Sequence, residues 1–236
     1  MKHAALEVRR GGERGYFDHG WLKTYHTFSF ADYQDPAWME FGPLRVINDD
    51  RVAPGEGFGK HGHRDMEILT YILAGELQHR DSMGNGSIIR AGDVQRMSAG
   101  TGVTHSEFNP SAEAAVHLLQ IWITPEALRL PPGYEQKHFS AADKRGRLRL
   151  IASRDGADGS VSVRQDVRVF AGLFDGAESA SYELAGGRRA WLQMARGELS
   201  VGETRLQAGD GARTAGAAQL SVHDGADAEV LLFDLP

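Results

Sequence analysis

The sequence predicts an all-β protein made of two copies of one barrel or sandwich unit. Three observations carry that expectation. Short runs of β-branched and aromatic residues recur at even spacing, and helical periodicity is scarce. Glycine is abundant, at 29 residues, which suits many tight turns better than long helices. One pattern also occurs twice: Gly75-Glu76-Leu77 precedes Ala91-Gly92-Asp93, and Gly197-Glu198-Leu199 precedes Ala208-Gly209-Asp210. A chain of 236 residues accommodates two small β domains, and the expected division is 1–140 and 141–236.

Taken in order, His26-Thr27-Phe28-Ser29-Phe30 alternates and reads as a strand, and Asp35-Pro36 reads as a turn. The aromatics Trp21, Tyr25, Phe28, Phe30, Tyr33, Trp38 and Phe41 read as packing. A strand follows at 44–48, then the Gly-rich loop Pro54-Gly55-Glu56-Gly57-Phe58-Gly59. That loop is no phosphate cradle. Gly55 and Gly59 enclose three residues where four are needed, and strand-like sequence rather than a helix comes next. The run 67–73 is a strand ended by Ala74-Gly75, and Ser82-Met83-Gly84-Asn85-Gly86 marks a hairpin. Short strands at 87–90 and 94–97 flank the turn Ala91-Gly92-Asp93. Gly100-Thr101-Gly102 turns the chain just before His105, and 115–124 is a long strand. Leu130-Pro131-Pro132-Gly133 breaks the pattern, and the polar stretch to Arg147 reads as an interdomain connection. Strands resume at 148–152, 161–163, 167–173, 180–184, 190–194 and 229–233.

Composition narrows the function. Hydrophobic residues at 41% and charged residues at 25% are ordinary for a soluble globular chain. The formal charge is −6 with no Lys/Arg block, which argues against direct nucleic-acid binding. The absence of cysteine excludes disulfides, thiolate metal sites and cysteine nucleophiles. Residues 1–18 lack the apolar centre of a signal peptide, and no apolar run reaches membrane-spanning length. The expectation is a cytoplasmic protein without a membrane partner.

The chemistry concentrates in His61-Gly62-His63 and His105-Ser106-Glu107. Residues two apart on a strand share a face, so each pair presents two donor groups side by side. Facing each other across a barrel, the pairs would converge three imidazoles and a carboxylate on one ion, a set that suits Fe, Mn, Co, Ni, Cu or Zn. Glu67 has the same parity as His61 and His63. It is therefore an alternative carboxylate ligand, a partner for a ligating histidine, or a separate acid or base. Four protein ligands leave an open position only on a five- or six-coordinate metal, as in a catalytic centre. His3, His19, His26, His79, His117, His138 and His223 read as structural, and Asp49-Asp50 as the end of a strand. In the second copy, the matching offsets fall on Glu183, Ala185, Val222 and Asp224, so that copy reads as metal-free.

At these residues the chain resembles the cupin superfamily and, within it, the pirin family, especially bacterial pirin-like quercetin 2,3-dioxygenases. Residues 57–75 follow the first cupin motif with His61, His63 and Glu67. Residues 92–109 follow the second with Gly102, His105 and Asn109, without its usual proline near Ser98-Ala99. The phrases 26–33, 41–46 and 97–107 look like pirin text, as do 209–212 and 231–235 of the second half. Gly62 departs from the proline that the family often has there.

The resemblance implies a bicupin: two β-barrel/jelly-roll domains with one metal in the N-terminal barrel. It implies His61, His63, His105 and Glu107 as ligands and moves Glu67 to a supporting role beside them. Iron is the expected occupant, with Zn, Mn, Co, Ni and Cu compatible. The implied activity is a quercetinase-type dioxygenase acting on a planar flavonol and dioxygen, with release of carbon monoxide. Glu107, released from the metal, would accept the substrate hydroxyl proton. The alternative class is a metal-containing binding or redox-sensing regulator with a protein partner, which some pirins are described as, because fold does not fix function.

Overall fold

The computed structural model describes residues 5–236. Two compact units emerge: one from 15–138 with 161–165, the other from the chain up to Arg14 with 139–160 and 166–236. Strands dominate both. In order they are β1 (Glu7–Arg9), β2 (Gly15–Asp18), β3 (Leu22–His26), β4 (Leu44–Val52), β5 (Gly57–His63), β6 (Glu67–Ala74) and β7 (Glu76–Asp81). Next come β8 (Gly86–Arg90), β9 (Asp93–Ser98), β10 (Val103–Phe108), β11 (Val116–Ile123) and β12 (Gly133–His138). After the short α1 (Ala141–Lys144) follow β13 (Arg149–Ser153), β14 (Val161–Ser162), β15 (Arg168–Gly176) and β16 (Ala180–Leu184). The last four are β17 (Arg189–Val201), β18 (Thr204–Gln207), β19 (Gly211–Ala215) and β20 (Ala218–Leu235). No helix among the described residues is long and apolar enough to cross a membrane.

The N-terminal unit is a two-sheet barrel. One sheet runs β12-β9-β6-β11-β4-β3-β2 and the other β5-β10-β7-β8. Their inner faces pack through Leu22, Val52, Ile72 and Leu118 of the first sheet and Leu77 and Ile89 of the second. Period-2 alternation dictates which residues meet there. The C-terminal unit runs β1-β19-β17-β20-β15-β13, with β16 beside β20 and β18 beside β17. Repeated register shifts between β17 and β20 bend these long strands. The bend wraps them around an apolar core that includes Phe174, Leu192, Met194, Leu199, Val230 and Leu232.

Three expectations about elements change. The strand at His26 stops there; residues 27–30 leave the ladder, and Phe28 drops fully into the core. The stretch read as a connection, 130–147, contains β12, whose backbone pairs with β9 from Gly133 to His138. Its polar side chains hid it, because an edge strand needs few apolar residues. Asp49-Asp50 does not end a strand, since β4 continues to Val52 and both aspartates are buried.

Candidate metal centre

Strand pairing builds the site. β10 lies between β5 and β7, with His105 opposite His61 on one side and Asp81 on the other. Glu107 lies opposite Phe58 and His79. Between these two rows β5 carries an extra residue. The bulge turns the Gly59 carbonyl toward the His61 ring, whose Nδ1–H donates to it over 2.8 Å. Glycine at 57 permits this approach, because a Cβ there would meet the Glu107 carbonyl oxygen at 2.2 Å. Gly100, at φ +46, turns the chain into β10 where a Cβ would meet the Leu130 carbonyl oxygen at 2.0 Å.

Three of the four predicted ligands converge. The donor atoms of His61, His63 and His105 lie within 4.8 Å of one another, and the Nε2 atoms of His61 and His105 are 3.0 Å apart. Burial, with repulsion from His61, lowers His63 to about 4. Burial, with repulsion from His61, His63 and His79, lowers His105 to about 3. His63 and His105 are therefore neutral at physiological pH, as ligands must be. Glu107 joins a second, overlapping cluster with His105 and His79, whose donor atoms are also within 4.8 Å. Burial and then the charge of Asp50 raise Glu107 to about 7, against the hydrogen bond from Gln120. Burial likewise raises Asp50 to about 7.

Opposite the histidines runs a cross-strand row that sequence reading missed. His26, Asn48, Gln120, Thr70, Gln95 and Gln136 are successive neighbours across six strands. Thr70 Oγ1 donates to Gln120 Oε1 at 3.2 Å, and Gln120 Nε2 donates to Glu107 Oε2 at 3.1 Å. Glu107 Oε1 is buried without a partner. Scattered single polar residues in six strands give no motif; only register aligns them. Trp122 stands edge-on to His63 at 4.9 Å between ring centroids and edge-on to Phe30 at 5.3 Å, giving the site a flat aromatic wall.

His79, read as structural, is fully buried with its Nε2 3.2 Å from Asp81 Oδ2, and it also lies beside His105 and Glu107. One role read from the sequence is corrected. Glu67 is not beside the ligands. Its Oε2 accepts from Ser98 Oγ at 2.8 Å and from the Arg164 N–H at 3.1 Å. It ties β6 and β9 to the 161–165 segment of the same unit. Parity put Glu67 on the histidine face only if β5 and β6 were one strand; the turn at 64–66 breaks that. The other structural assignments have local partners: His117 bonds Asp49 and His138 bonds Asp93, each at 2.7 Å. His3 lies outside the described residues.

In the second unit, Val222 is buried opposite Ala180, and Glu183 pairs with Gln219 at the β16–β20 ladder. Among the described residues, no group of three potential ligands converges in that unit.

Comparison with known proteins follows this division. The family model described as Pirin matches residues 7–123, and that described as Quercetinase C-terminal cupin domain matches residues 150–235. A protein of Escherichia coli K12 named quercetin 2,3-dioxygenase is 46% identical, covering 98% of this chain and 99% of its own. A pirin-like protein of Caulobacter vibrioides is 42% identical over 93% of this chain and 95% of its own. The crystal structure of the bacterial pirin YhhW from Escherichia coli in complex with nickel(II) superposes with TM-score 0.93 at 45% identity. That match covers 98% of this chain and 99% of that one.

Proposed function

The chain belongs to the pirin family of bicupins, and on that premise we propose that it is a metal-dependent dioxygenase cleaving a flavonol such as quercetin. The observation that carries the reading is the convergence of the His61, His63 and His105 donor atoms within 4.8 Å, with two Nε2 atoms 3.0 Å apart. His61 donates Nδ1–H to the Gly59 carbonyl, so its Nε2 lone pair faces His105, a placement that suits two ligands of one cation. The unpartnered Oε1 of Glu107 adds a buried anionic donor, so the residues fit a divalent transition ion.

His61, His63, His105 and Glu107 would hold that ion, with iron as the expected occupant and nickel as a strong competitor, given the relative's nickel complex. The ion supplies Lewis acidity that lowers the pKa of a bound hydroxyl. The Gly59 carbonyl orients the His61 ring. Gln120 holds Oε2 of Glu107, and Oε1, once released from the ion, would take the hydroxyl proton of the substrate. The Trp122 and Phe30 rings offer an apolar wall to a flat aromatic substrate.

Metal-loaded protein incubated with quercetin in air should consume the flavonol and release carbon monoxide; anaerobic samples and His63→Ala should not. A lack of turnover with every first-row divalent ion would sink the proposal. Elemental analysis of protein purified without chelators or a metal column would identify the native ion.

A further inference from the structure

The outer face of the four-stranded sheet carries a cleft of about 210 Å³. Its side chains come from Lys60 of β5, Arg80 of β7, Ser82 just beyond β7, and Thr104 and Ser106 of β10. Strand alternation sets them on the face opposite His61, His105 and Asp81. The sheet therefore stands between this cleft and the metal centre.

The cleft gathers cations without an answering anion. Lys60 and Arg80 are exposed, and neither joins an ion pair among the described residues. Asp81 is the acidic residue of the lining, but its side chain is wholly buried. Its carboxylate is already spent on the N–H groups of Met83 and Asn85 and on Asn85 Nδ2. The outer face of the other sheet gives the contrast. There Lys23 and Arg51 are direct cross-strand neighbours, yet each has its own aspartate, Asp18 at 3.8 Å and Asp49 at 3.3 Å. Neighbouring like charges on a sheet destabilise it unless something neutralises them. In the cleft that partner must come from outside the chain.

Register fits the cleft to a compact oxyanion. Ser106 is the direct neighbour of Arg80 on one side. On its other side β5 bulges, with Gly59 and Lys60 filling the place of one residue. The β5 and β7 backbones are two strand spacings apart, about 9.5 Å, so both long side chains can reach an anion seated over Ser106. Ser82 Oγ accepts from the Thr104 N–H at 3.1 Å, which leaves its own O–H free to donate into the cleft. Gly62 keeps the rim open. A Cβ there would lie 3.7 Å from Thr104 Cγ2, and the proline that pirins often have at this place would fill that space.

We propose that this cleft binds a phosphoryl dianion, as inorganic phosphate or as the phosphate of a small monoester. A carboxylate offers one charge and two oxygens. Two cations and three hydroxyls match a dianion with more oxygens to satisfy. Arg80 brings a planar fork of donors and Lys60 a compact charge. The site is independent of the flavonol reading, so either can fail alone.

Calorimetric titration of the metal-loaded full chain with inorganic phosphate tests this. One phosphate should bind per chain, more weakly as sodium chloride is raised. Lys60→Gln/Arg80→Gln should weaken binding at least about 10-fold with metal content unchanged. Lys23→Gln/Arg51→Gln removes the same charge from the other sheet and should leave binding as it was. His63→Ala should also bind phosphate as before. Tighter binding of phenyl phosphate than of inorganic phosphate supports a monoester as occupant, and equal binding supports the free ion. An equal loss in the Lys23/Arg51 variant would mean bulk attraction only and overturns the site. Loss in His63→Ala would put the anion on the metal and overturns it too, as does the absence of binding to the unaltered chain.

Discussion

In the N-terminal barrel, β7 and β10 turn His79, Asp81, His105 and Glu107 inward; in the C-terminal unit, β17 and β20 turn Leu192, Met194, Val230 and Leu232 inward. The strands alternate alike, so the filling rather than the architecture separates them. Apolar burial stabilises by about 25 cal/mol per Å². A polar interior forgoes that and adds desolvation, visible in Asp50 and Glu107, both raised to about 7. The N-terminal apolar layer at Leu22, Val52 and Leu118 supports the polar one. The comparison teaches that one half is packed for stability while the other keeps buried donors for chemistry.

Paired substitutions would break or sharpen that contrast. His105→Ala should lower metal affinity by more than about 100-fold while leaving thermal unfolding nearly unchanged, read by elemental analysis and calorimetry. Leu232→Ala should do the reverse: a loss of about 2–5 kcal/mol by chemical denaturation with full metal content. If Leu232→Ala empties the metal site in folded protein, the division of labour is wrong.

Smaller effects lie within the N-terminal barrel. Gln120→Leu removes the donor to Glu107 Oε2 and should weaken metal binding about 10-fold, toward the low end for a supporting partner. Glu67→Ala should cost about 1–3 kcal/mol by leaving Ser98 and the Arg164 N–H unmatched, with metal affinity unmoved. A metal loss in that variant would restore Glu67 to the centre.

Two pH dependences follow. Glu107, raised to about 7, holds its proton below that pH, whereas His63 and His105 are lowered to about 4 and about 3. Metal uptake at pH 6 should therefore release close to one proton from the carboxyl side, measured by calorimetry in buffers of different ionisation enthalpy. Release of two would mean that Asp50, also raised to about 7, gives up its proton together with Glu107. The smallest effect is at Glu135. Burial pushes its carboxyl up, but hydrogen bonds from Lys137 and Ser162 outweigh this and hold it at about 2. Its folded pKa lies below the unfolded one, so its contribution is full above about pH 4.5 and fades as pH falls toward 2. Denaturation of Glu135→Gln against the unaltered chain should show a gap that closes over that range.

Much of this was legible beforehand. The spacing of His61-Gly62-His63 and His105-Ser106-Glu107 named every residue of the two overlapping clusters except His79. The strands at 67–73 and 115–124 were read nearly to their ends, because buried central strands are continuous apolar runs. The edge strand β12 was not, because one polar strand looks like a loop until its partner is known. Glu67 was misplaced because parity is meaningful only within one unbroken strand, and the turn at 64–66 resets it.

The sequence by itself determined the fold class, the internal duplication and the three histidines, since each depends on short-range spacing that covalent geometry converts directly into faces. Only the tertiary structure decided which groups from different strands share the interior. Register brought His79 opposite Glu107, lined up Asn48, Gln120, Thr70 and Gln95, and sent Glu67 to Ser98 and Arg164. Cross-strand neighbours are set by the pairing of distant segments, and a shift of one residue would turn every one of them to the other face.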